Sequence, residues 1–121
     1  MIDKIEAFLT NNFQKNIEIE VDDKSIKKGK FILYKIASVT NYFHIELYIE
    51  RPTNREKIDT IKIPIPFEYE AYPDEGLLYF DYRVNSLFRN NYERATFTSL
   101  IDTTTQEPQK FLNKIVVFHF D

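Results

Sequence analysis

The clearest alternation of apolar and polar positions runs from Phe43 to Glu50. Phe43, Ile45, Leu47 and Ile49 take one parity, and His44, Glu46, Tyr48 and Glu50 the other. Successive side chains of a strand leave opposite sides of the pleat, so this period predicts a strand with one buried face. The run before it is apolar on both parities: Ile32, Tyr34 and Ile36 share one face, Phe31 and Leu33 the other. A strand apolar on both faces is usually covered above and below, which places it centrally. Joined across Ser38-Val39-Thr40-Asn41, the two make Phe31–Glu50 the nucleus of a sheet.

Elsewhere the period changes once. Ile2, Ile5, Leu9 and Phe13, widened by Phe8, recur at helical spacing and predict a helix over 3–14. Asp3 followed by Glu6 has the form of a capping box, and Asn11, Asn12 and Asn16 mark the end. Alternation returns at Ile17–Asp22, with Ile17, Ile19 and Val21 inward and Glu18 and Glu20 outward. Asp22–Lys30 reads as a charged connection carrying Gly29. After a polar loop (RPTNREK), Thr60–Ile65 alternates again. Pro64 and Pro66 remove ladder donors, which places this strand at a sheet edge or ends it. Phe67–Tyr72 and Leu77–Arg83 flank Pro73-Asp74-Glu75-Gly76, a hairpin turn. Val84–Arg94 has no clear period and reads as a loop with a helical turn around Ser86–Arg89. Ala95–Ile101 and Leu112–Phe120 are the last strands, split by DTTTQEPQ. Ile115-Val116-Val117-Phe118 is apolar on both faces and therefore central. The sum is an α+β, mostly β chain: one N-terminal helix on a mostly antiparallel sheet of seven or eight strands, curled into a sandwich or partial barrel.

Composition sharpens this picture in a few places. At 121 residues, 43% hydrophobic and 29% charged, residues 1–121 are expected to form a single ordered domain. Eleven Phe and eight Tyr favour strands, and with two Gly the turns must draw on Asn and Asp. Phe, Tyr, Met, Ile, Asn and Lys number 55 against 16 Gly, Ala, Arg and Pro, the signature of an A/T-rich genome such as that of a low-GC bacterium or its phage. Acids at 3 and 6 and the lack of a long apolar run argue against a signal peptide or membrane span, so a cytoplasmic or virion location is expected. The net charge of −3 argues against general nucleic-acid binding. That charge is blocked, however: residues 24–35 carry +5 and residues 58–82 carry −5, so separate basic and acidic faces are open to the fold.

Chemistry-bearing patterns are few. Without cysteine there is no disulfide framework, thiolate or Cys-based zinc site. His44 and Glu46 share a strand face at a spacing that metal ligands use, but no third ligand is identifiable, and no metal or cofactor is expected. Asp74, Glu75 and Asp81, with Glu68 and Glu70 nearby, would serve a hydrolase only if they converged. No nucleophile elbow, phosphate loop or dinucleotide fingerprint is present. Lys24, Lys27, Lys28 and Lys30 beside Tyr34, Tyr42 and Tyr48 have the ingredients of a single-strand nucleic-acid binder, the alternative reading to an interaction protein.

The most unusual stretch is Asp81–Arg94. Three of the five arginines fall here, among Tyr82, Asn85, Asn90, Asn91 and Tyr92. Arg and Tyr supply planar contact area with directional donors and are enriched at interface hot spots. Tyr82, Arg83, Asn85, Leu87, Phe88, Arg89, Asn90, Tyr92 and Arg94 are therefore the candidate contact with a protein partner or a second copy. The competing account is a solvated connection anchored by Leu87 and Phe88. The expected function is a non-enzymatic interaction or assembly module, of a kind that would suit a phage or mobile-element structural or accessory protein.

Overall fold

A computed structural model describes residues 2–39, 42–53, 57–66, 68–83 and 114–121. Within them lie one helix, α1 (Ile2–Thr10), and seven strands: β1 (Asn16–Val21), β2 (Lys24–Val39), β3 (Tyr42–Glu50), β4 (Ile58–Pro64), β5 (Glu68–Tyr72), β6 (Leu77–Asp81) and β7 (Ile115–Phe120). The strands form one sheet in the order β4-β3-β2-β1-β7-β6-β5, antiparallel throughout. The mostly β architecture with a single N-terminal helix is as the alternation predicts. β2 and β7 are interior strands and β4, with its prolines, is an edge.

The order of strands fixes the shape. Laid flat at about 4.8 Å per strand, the two outermost strands would stand roughly 29 Å apart. Yet β4 and β5 are consecutive in sequence, and the chain from Pro64 to Glu68 spans at most roughly 15 Å. The sheet must therefore curl until its edges approach. No ladder joins β4 to β5 among the described residues, so the result is a partial barrel with a seam rather than a closed one. The Tyr82 hydroxyl, just past β6, donates to the Pro64 carbonyl at the end of β4 and ties the two sides of that seam.

One apolar core fills the curl. Leu47, Ile49 and Ile63 face it from one half, and Ile19, Phe80 and Phe118 from the other, each at most 1% exposed. The helix adds Ile5, Phe8 and Leu9. Edge-to-face rings link the parts: Phe8 to Phe120 at 5.4 Å, Phe120 to Phe31 at 5.5 Å and Phe80 to Phe118 at 5.0 Å. Each such pair adds about 0.5–1.5 kcal/mol beyond the area it buries.

Several local expectations are corrected. The helix begins at Ile2, so Asp3 lies inside the first turn and favours the dipole instead of capping. It ends at Thr10, where the buried Asn12 amide donates to the Phe8 carbonyl at 2.7 Å and satisfies an orphan acceptor. Phe13 lies beyond the helix and rests on the Phe31 and Tyr34 rings. Asp22–Lys30 is not a connection. Asp22 and Asp23 both take left-handed φ, 48° and 68°, and make a two-residue hairpin, after which Lys24 starts β2 directly. The lysines disguised a strand. Phe31 and Tyr34 also share a face instead of opposing one another, because the register shifts between Phe31 and Leu33 and inserts Ile32 as a bulge. Phe43 keeps its parity but stands at the strand end, 41% exposed. The expected strand Ala95–Ile101 and the loops Val84–Arg94 and DTTTQEPQ lie outside the described residues.

Candidate interaction surface

Of the nine candidate contact residues, Tyr82 and Arg83 are described; Asn85, Leu87, Phe88, Arg89, Asn90, Tyr92 and Arg94 are not. Tyr82 is fully buried. Its ring packs edge-on against Phe80 at 6.3 Å, and burial pushes its hydroxyl pKa well above the ordinary value. It is an anchor in the core and offers no surface to a partner. Arg83 is exposed but held: its Nε donates to Asp81 Oδ1 at 2.9 Å and its Nη2 to Asp81 Oδ2 at 2.7 Å. The Asp81 carboxylate raises the guanidinium pKa further. Across the ladder from Asp81 stands Glu68, so Arg83 also offsets a like-charge pair.

These residues close a strand pair. Asp81 pairs with Ile115, and the Tyr82 amide donates to the Lys114 carbonyl at 2.9 Å. Arg83 and Lys114, the described residues on either side of 84–113, thus stand at adjacent ends of neighbouring antiparallel strands. About two to five residues would make that connection.

The other candidate chemistries are dispersed by the fold. Asp74 and Glu75 sit in the β5–β6 turn, whereas Asp81 ends β6, roughly 14 Å of strand away. Glu70 accepts the Tyr72 hydroxyl on the outer face. Lys27 pairs with Asp59 at 3.4 Å and Lys28 with Glu18 at 3.3 Å. Tyr34 packs among Phe13 and Phe31, its hydroxyl 3.0 Å from that of Thr10, which removes it as a stacking platform. Tyr48 stays on the outer face, bonded to Glu46 at 2.7 Å, with the Lys35 ammonium 5.4 Å from its ring centre. Among the described residues, no three His, Asp or Glu side chains are grouped to hold a metal.

Comparison with protein-family models, curated proteins and solved structures finds no match. No helix among the described residues is long and apolar enough to cross a membrane.

A groove of about 880 Å³ lies at the opposite end of β6 from Tyr82. Asn16, Glu18, Lys30, Glu50, Arg51 and His119 are among its lining residues. Its walls come from segments spread over the whole chain, so no sequence window signals it. His119 Nε2 lies 3.2 Å from Glu20 Oε1 without hydrogen-bond alignment. Arg51 is committed to Asp59 through paired bonds of 2.9 and 3.1 Å, which hold that carboxyl below its usual range. Charged side chains of both signs and apolar ones, Ile17, Leu77 and Phe120 among them, share its lining.

His44 carries a pH dependence. Its Nδ1 is buried and makes no hydrogen bond among the described residues. Desolvation, aided by Lys62 and opposed by Glu46, lowers its pKa from 6.5. As pH falls through about 6.5 the unfolded chain protonates this ring first, so stability declines until the folded pKa is passed. Replacing His44 by Gln should flatten the fall of the urea midpoint between about pH 7 and pH 5. An equal fall in parent and variant would contradict this assignment.

Proposed function

We propose that this protein is a non-enzymatic interaction or assembly module whose partner contact lies in the residues that follow Tyr82, up to Arg94. An origin as a phage or mobile-element accessory component suits its size and composition. The observation that supports the reading is the closed β6–β7 pair. Residues 84–113 are far more chain than closing that strand pair requires, and chain in excess of that need is commonly functional. The stretch up to Arg94 carries Arg89, Arg94, Asn85, Asn90 and Tyr92, with Leu87 and Phe88 as apolar anchors, the content of a hot spot. Tyr82 and the Asp81–Arg83 clasp hold its root. The contact is made with another protein or with a second copy.

Arg89→Ala combined with Arg94→Ala tests it. An interfacial Arg costs about 1–3 kcal/mol when truncated, because its charge-assisted bonds are lost and the opposing acid is left unpaired. The double variant is expected to melt near the parent yet associate roughly ten- to a hundredfold less tightly. Parallel losses of melting temperature and association would place these side chains in the fold instead.

A further inference from the structure

β2 loses a neighbour halfway along. Its first half pairs with β1, and from Lys30 to Val39 it pairs with β3. Phe31 is the last residue served on the β1 side. Its amide donates to the Lys15 carbonyl at 2.9 Å, and its carbonyl accepts from the Gln14 amide at 2.8 Å. The groups left over beyond it follow from the β3–β4 ladder. The Ile65 amide donates to the Phe43 carbonyl and the Arg51 amide to the Lys57 carbonyl, so Phe43, Ile45, Leu47 and Ile49 turn their backbone groups toward β4. His44, Glu46 and Tyr48 therefore bond β2, through Ala37, Lys35 and Leu33. The amides and carbonyls of Tyr34, Ile36 and Ser38 point the other way, and no described residue bonds them.

A free edge of this kind takes an extended backbone. The outer edges of β4 and β5 are drawn together at the seam by the Tyr82–Pro64 bond, whereas the second half of β2 has no strand beside it among the described residues. A second copy of the same edge, laid antiparallel with Ile36 opposite Ile36, joins Tyr34 to Ser38 and Ser38 to Tyr34. Every free amide and carbonyl of the three residues then has its partner. A shift of two residues either way leaves one of them outside the match, and one of the two shifts opposes Lys35 to Lys35. Large side chains also meet small ones: Tyr34 meets Ser38 on the inner face, and the exposed Lys35 meets the exposed Ala37 on the outer face. We propose that β2 pairs with β2 of a second copy about a two-fold axis at Ile36. The contact is isologous, so it closes at a dimer. It goes beyond the contact placed after Tyr82 and uses none of its residues.

One strand pair is a small interface, with a dissociation constant of about 0.1–1 mM expected. Sedimentation of the full chain should follow that step up to about 2 mM protein. Ala37→Glu gains an ion pair with Lys35 of the second copy, and Ala37→Lys gains a repulsion. The first should tighten and the second weaken association, each roughly two- to thirtyfold, with the parent's circular dichroism and melting temperature kept. The chain has no cysteine, so the register can be read by cross-linking. Across the proposed pair Lys35 and Ala37 form a non-hydrogen-bonded pair with Cα atoms about 4.5 Å apart, within disulfide reach, whereas each stands about 7–8 Å from its own copy. An oxidised mixture of Lys35→Cys and Ala37→Cys should yield several-fold more linked dimer than either variant alone. A mixture yielding no more, a parent that shows no step up to about 2 mM, or Ala37 variants that shift association alike would each overturn the proposal. Association that responds to Arg89→Ala/Arg94→Ala and to neither Ala37 variant would uphold the contact after Tyr82 and overturn this one.

Discussion

Leu47→Asp is expected to unfold the protein. Leu47 is fully buried at the centre of β3, paired with Tyr34 on β2 and Ile61 on β4. Removing a leucine of this kind alone costs about 2–5 kcal/mol in lost transfer energy and residual cavity. The carboxylate adds a further penalty of several kcal/mol, since no cation among the described residues faces that position and the group must stay unpaired or take up a proton. Total stabilities of small domains lie at about 5–15 kcal/mol, so the sum removes most or all of the folded population. Leu33→Asp is the control. Leu33 lies on the outer face of β2, 45% exposed, and a surface change of that kind shifts stability by about 0.5 kcal/mol or less. Urea titration followed by circular dichroism separates the two, and a Leu47→Asp midpoint equal to the parent's would mean that the inner and outer faces of the sheet are reversed.

Much of the fold was legible because most strands bury one face, and alternation reports that face directly. Ile17, Ile19 and Val21 are inward, Glu18 and Glu20 less buried, and Pro64 marks the edge strand. Where the reading failed, the cause was local. A lysine on a strand's solvent side costs little, so the polar start of β2 looked like a loop, and two aspartates in left-handed φ made a turn that Gly or Asn usually marks. The bulge at Ile32 reversed parity within β2, and no periodicity survives an inserted residue. The curl of the sheet was open to either a sandwich or a partial barrel until strand order set the two edges three residues apart in sequence. Of the candidate site, the composition of Tyr82–Arg94 was visible but its division of labour was not. An amphipathic tyrosine serves a core or an interface equally well, and its register beyond Phe80 turns Tyr82 inward.

The described sheet is expected to fold without residues 84–113, and the proposed contact to need nothing of the sheet beyond its attachment at Tyr82 and Arg83. Replacing residues 84–113 so that Tyr82 runs through Arg83-Asn-Gly to Lys114 tests both at once, since a three-residue loop with Gly at its left-handed position suits this hairpin. The Tyr82–Pro64 bond, the Asp81–Arg83 clasp and every described ladder are kept. Stability and association are then read on one sample, by urea unfolding and by sedimentation or partner capture at about 0.15 M salt. A cooperative β unfolding transition within about 2 kcal/mol of the parent and loss of the parent's association are expected. A chain that cannot fold, or one that folds and still associates as the parent does, would contradict both expectations.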